Sequence, residues 1–132
     1  MWKKISVPTH AGVEFVNVDR LVEEVVGAQG VSEGVCYLYV PHTTAGITIN
    51  ENADPAVRED IINEFRKIVP FDDGYRHLEG NAAAHIKACL VGFSLTVPIE
   101  EGKLALGTWQ SIYFCEFDGP RRRHMYVRVT SV

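Results

Sequence analysis

Apolar positions along the chain recur at two different spacings, every second residue in some stretches and every third or fourth in others, and the changes of spacing mark the elements. Lys3 to Thr9 and Val13 to Val18 alternate as short strands, and His10-Ala11-Gly12 between them is predicted to close a hairpin. From Asp19 to Ala28, Leu21, Val22, Val25 and Val26 recur at helical spacing, with Gly30 as the stop. Val35 to Val40 is an unbroken apolar run between Gly34 and Pro41, the pattern of a central strand covered on both faces. After the Pro41 to Gly46 turn, Ile47 and Ile49 alternate with Thr48 and Asn50, giving a strand with one packed face and one polar face.

Asp54-Pro55 forms a strong helix start, a carboxylate over free N–H groups followed by proline in the first turn. The helix is expected to run to about Val69, with Val57, Ile61, Ile62, Phe65 and Ile68 on its buried stripe and Pro70 beyond its end. A polar loop from Phe71 to Gly80 leads to Asn81–Leu90, where three alanines and a capping Asn81 predict a short, tightly packed helix. The last third reads as sheet: Phe93–Ile99, Lys103–Leu106, Thr108–Asp118 and His124–Val132, with turns at Glu100-Glu101-Gly102 and Gly119-Pro120. Elements in this order predict an α+β fold: a mostly antiparallel sheet or sandwich with two or three helices packed on one side, in a single domain over residues 1–132.

Composition narrows the function. At 132 residues the chain suits one core. With 46% apolar residues and a net charge of −4, neither a disordered tail nor a nucleic-acid-coating surface is expected. No apolar run approaches bilayer length and Met1–Ser6 lacks a leader's apolar region, so a cytoplasmic location without a membrane partner is expected. Cys36, Cys89 and Cys115 lie in apolar sequence with no Cys-x-x-Cys pair, which suits reduced, packed thiols.

Alternation in Thr108–Asp118 places Glu116 on one face with Gln110, Ile112 and Phe114. A carboxylate among apolar neighbours needs a cation, a metal or a donor. Arg121 follows the turn, and a surface charge pair and a functional role for Glu116 and Arg121 are equally open. His42, His77 and His85 come from a strand end, a loop and a short helix, from which three imidazoles can converge on one divalent ion. Their spacing is not diagnostic, and hydrogen-bonded structural histidines are the other explanation. His10 and His124 read as solvent-facing. Asn81 has a sufficient role as a cap and Lys87 as a solvated cation, yet a helix start beside Lys87 and an arginine suits a phosphate. The absence of a Walker-type loop or Gly-x-Gly-x-x-Gly disfavours a nucleotide-binding fold.

Four stretches, His42–Asn52 with Asp54, Gly80–Lys87, Gly107–Gln110 and Glu116–Arg121, together resemble the YjbQ-like family, named for a secondary thiamine-phosphate synthase activity. The resemblance covers essentially the whole chain. It implies a small α+β domain assembled as a homotrimer, with a pocket built from the His42 turn, the His77 and His85 region and the Glu116–Arg121 turn. The implied reaction joins a phosphorylated thiazole to a pyrimidine-methyl diphosphate and releases diphosphate. In that picture His42, His77 and His85 hold a divalent metal, zinc, manganese or magnesium. Thr43, Thr44, Asn50, Asn81, Lys87, Gln110 and Arg121 meet the small-molecule phosphate substrate. His85, Glu116 and Arg121 carry catalysis, with Glu116 fixing Arg121 or handling a proton. Two other readings stand beside it: metal-assisted hydrolysis of a small phosphate ester, and a non-catalytic trimer that binds a metal or phosphorylated metabolite.

Overall fold

A computed structural model describes residues 1–132, with strands β1 (Lys3–Pro8), β2 (Glu14–Asn17), β3 (Gly34–Tyr39), β4 (Ala45–Glu51), β5 (Ser94–Glu100), β6 (Lys103–Leu104), β7 (Gln110–Glu116) and β8 (Arg122–Ser131). Its helices are α1 (Asp19–Gln29), α2 (Pro55–Ile68) and α3 (Ala82–Val91). The strands form two antiparallel sheets, ordered β1-β8-β3-β5-β6 and β2-β7-β4, so the class is α+β. His10-Ala11-Gly12 does not close a hairpin: β1 pairs with β8 and β2 with β7, and the segment carries the chain from one sheet to the other. Alternation fixes which side chains share a face but not which strand lies alongside.

The inner faces of the two sheets meet in one core, where Val7, Leu38 and Met125 face Ile47, Ile112 and Phe114. Val22 and Val26 of α1 join the same core. A second core lies on the far side of the three-stranded sheet, where Phe15, Tyr113, Cys115 and Phe117 pack against Ala84 and Ala88 of α3, with Ile61, Ile62 and Phe65 of α2 alongside. Strand β7 is therefore buried on both faces, each fully buried side chain of Ile112 or Phe114 type contributing about 1.5–3 kcal/mol.

Two burial expectations change. The stripe of α2 is only half-buried and Ile68 is exposed, because this helix touches the core along one edge. Strand β3 is central, but Tyr37 and Tyr39 on its outer face are exposed, since no layer covers that side of the five-stranded sheet. No helix is long and apolar enough to cross a membrane.

The helices that reach the polar end of the sandwich are anchored by backbone chemistry. Asp54 accepts the Ala56 amide at 2.9 Å with Pro55 first in α2, as its sequence predicts. The C-terminal end of α3 docks on β4 at Gly46, where a Cβ would lie 2.7 Å from the Gly92 carbonyl oxygen. Glycine allows this approach, and the Ile47 amide donates to that carbonyl at 3.1 Å.

Candidate functional site

At one end of the sandwich, β4 and β7 begin and end opposite each other, with Ala45 paired to Glu116. Glu116 faces the space between the sheets, where it is fully buried. Arg123 of β8 meets it from the other sheet, donating from Nε to Oε2 at 2.7 Å and from Nη2 to Oε1 at 2.5 Å. The Thr9 hydroxyl and the Asp118 amide supply two more donors, at 2.8 and 2.9 Å. Burial alone would raise the Glu116 carboxyl, but these hydrogen bonds override it and hold it below its ordinary range.

This arrangement corrects the expected partner of Glu116. Arg121 instead donates to Asp118, from Nε to the carbonyl at 2.7 Å and from Nη2 to the carboxylate at 3.0 Å. Both carboxylate oxygens of Glu116 are engaged in this way, and neither bonds the Arg121 side chain. Thr44 is likewise committed: its Oγ1 accepts from Arg123 Nη2 at 2.8 Å. Arg123 is the residue that sequence reasoning passed over, although it shares the inward face of β8 with Met125 and Val127.

Above this buried pair opens a cleft of about 410 Å³ with an almost wholly polar lining. His42, His77 and His85 all reach it, as do Thr43, Arg121 and the edge of Arg123. His77 and His85 are close, their ring centroids 5.2 Å apart and their planes nearly perpendicular. His42 is held separately, stacked on His124 at 6.4 Å, so His124 is half-buried against a partner and not simply solvent-facing. The His124 amide donates to His42 Nε2 at 3.0 Å. Burial, then the charges of Arg123 and His124, lower the His42 pKa. In its neutral form this imidazole carries its proton on Nδ1, leaving it an N–H donor with no free ring nitrogen for a metal.

No group of three His, Cys, Asp or Glu side chains is placed to hold an ion jointly. The expected three-imidazole set is therefore not assembled, because His42 Nε2 is already taken. The pair His77 and His85 remains as a two-imidazole set.

The other expected contacts separate. Asn50 and Gln110 lie five and six residues from the Glu116 end of the β4–β7 ladder, about 17 Å away or more at strand rise. Their side-chain oxygens bond the amides of Glu51 and Gly107, so they do not join the cleft. Asn81 does line it, but its side chain does not cap α3: Nδ2 donates to Asp118 at 2.9 Å, and Oδ1 is buried without a partner. Lys87 lies in α3 beside a neighbouring cleft, where burial and then Arg66 lower its pKa. A larger groove of about 450 Å³ runs over the outer face of the five-stranded sheet, but its Trp2, Tyr37, Leu95 and Tyr126 walls offer no convergent acid, base or cation.

The family described as UPF0047 protein YjbQ-like matches residues 3–132. The UPF0047 protein of Methanocaldococcus jannaschii is 50% identical, the match covering 96% of this chain and 91% of that protein. UPF0047 protein YugU of Bacillus subtilis is 48% identical over 98% of each chain. A crystal structure of a yjbq/upf0047 family protein from Clostridium acetobutylicum superposes with a TM-score of 0.95 at 50% identity, covering 97% of this chain and 99% of the other. A YbjQ-like protein of unknown function from Sulfolobus solfataricus gives 0.94 at 34% identity, covering 100% and 97%.

Proposed function

The chain belongs to the UPF0047 YjbQ-like family, and on that premise we propose that the histidine cleft binds a diphosphate ester and joins its pyrimidine-methyl group to a thiazole phosphate. The observation that carries this reading is the convergence of His42, His77, His85, Thr43 and Arg121 on one polar cleft. In the reaction a C–N bond forms between the thiazole nitrogen and the pyrimidine methylene carbon while the bond to diphosphate oxygen breaks. The electron pair leaves with diphosphate, and no proton need be removed. Stabilising negative charge on the departing group is therefore the main task, which N–H donors fixed in place perform without reorganising.

The His42 Nδ1–H and the Arg121 guanidinium supply such donors, the latter steadied by Asp118. Glu116 serves at one remove by holding Arg123 beneath the cleft. A divalent zinc, manganese or magnesium ion belongs to this reading, with His77 and His85 as the residues that would hold it and charge neutralisation on the diphosphate as the chemistry it would supply. Homotrimeric assembly in the cytoplasm completes the proposal, and the bare aromatic face around Trp2, Tyr37, Tyr39 and Tyr126 supports association.

The test is product formation from the two thiamine precursors by the purified protein. Wild type forms thiamine phosphate, and His85→Ala loses that activity while keeping its thermal transition. No product from wild type, or an undiminished rate in the variant, overturns the proposal.

A further inference from the structure

One ionisable side chain of the histidine cleft has no part in the reaction described for it. Glu79 lines the cleft with His77 and His85, and it is the only carboxylate that does. Both guanidiniums of the lining are already matched, Arg121 to Asp118 at 3.0 Å and Arg123 to the buried Glu116. Glu79 takes part in no ion pair. Among the carboxylates and guanidiniums of the lining, it alone lacks a counter-charge.

Its place in the fold differs from that of the donors assigned to the diphosphate. His42 and Arg121 enter from the turns after β3 and β7, whereas His77, Glu79 and His85 enter from the loop after α2 and from α3. An uncompensated carboxylate weakens the hold on any ligand that is only an anion, because like charges a few ångströms apart repel. It favours a ligand that carries N–H donors besides its anionic group, since charge-assisted hydrogen bonds are about twice as strong as neutral ones. At about 410 Å³ the cleft has room for a small organic molecule and not only for an ion.

We propose that Glu79 is the specificity-determining residue of the cleft, its carboxylate accepting from the amino group of an amino-substituted heteroaromatic ring whose methyl-linked diphosphate meets His42 and Arg121. This role presupposes that the diphosphate ester is bound in the histidine cleft, and it names the part of the ester's ring that the protein reads. The same charge discriminates against inorganic phosphate and diphosphate, which bring negative charge and no N–H group.

The experiment is calorimetric titration of the full chain, without the thiazole partner, using an amino-substituted pyrimidine-methyl diphosphate, its analogue with hydrogen in place of the amino group, and inorganic diphosphate. Wild type is expected to bind the amino ligand at least about tenfold more tightly than the analogue. In Glu79→Ala, a change at an exposed loop residue, that preference collapses toward unity while inorganic diphosphate binds more tightly than in wild type. The gain for the bare anion is a sign that general loosening of the site would not produce. Equal affinity of wild type for the amino ligand and its analogue overturns the role of Glu79 and leaves the diphosphate site standing, as does an unchanged preference in Glu79→Ala. Failure of wild type to bind any of the three overturns both.

Discussion

Arg123 grips Glu116 through two hydrogen bonds that cross from one sheet to the other, with neither side chain more than 5% exposed. Removing one partner leaves the other as an uncompensated buried charge, which costs about 3–5 kcal/mol. Arg123→Met is therefore expected to lower stability by that amount in urea denaturation. Because Arg123 also ties down Thr44, the variant loosens the floor of the histidine cleft as well. A double change to apolar residues, Glu116→Leu with Arg123→Met, loses less than the sum of the single changes.

The same carboxylate makes the fold acid-sensitive. Its folded pKa lies below the ordinary 4.5, so the unfolded chain takes up the proton first as pH falls. The stability it contributes is complete above 4.5 and is lost as pH drops through the folded value. Urea midpoints measured downward from that pH fall in wild type, and the fall is shallower in Glu116→Gln.

His42 is expected as the neutral tautomer protonated at Nδ1, since Nε2 accepts from the His124 amide. Long-range nitrogen–proton correlation spectra read this directly. Its folded pKa is lowered from 6.5, chiefly by burial, so below that value the unfolded chain binds a proton that the native ring refuses. Stability decreases as pH falls from 6.5 toward the lowered value, and the decrease is smaller in His42→Gln.

The thiols separate into two classes. Cys36 and Cys115 are buried, and burial pushes the Cys36 thiol up to about 11 and raises that of Cys115 as well. Cys89 is exposed, unlike the packed thiol its apolar sequence suggested. A thiol reagent at mildly alkaline pH should titrate Cys89 quickly in native protein and the other two only after unfolding.

Local chemistry was legible in the sequence wherever it settled structure by itself. Asp54-Pro55 starts α2 because a carboxylate and a proline satisfy the first turn without help from the rest of the chain. Glu116 could be placed on the inward face by alternation, and the same counting from Met125 and Val127 would have found Arg123. What stayed hidden depended on strand partners. That β8 lies beside β3 carries His124 to His42, the meeting of the two sheets brings Arg123 to Glu116, and no spacing encodes either. Asn81 misled for a related reason: its Nδ2 donates to Asp118, 37 residues away, and its Oδ1, the atom that would cap, meets no backbone N–H. Asn50 and Gln110 belong to stretches that resemble the family, yet register carries them to the far end of the strands.

The proposed activity requires that His42, His77 and His85, which line one cleft, meet the same anion there. Titrating diphosphate into protein with labelled histidines while following the ring signals of His42, His77 and His85 tests this without assuming any reaction. All three are predicted to move together along one saturable curve, weakened in Arg121→Met. Rings that stay unmoved, or that respond at unrelated concentrations, would contradict it.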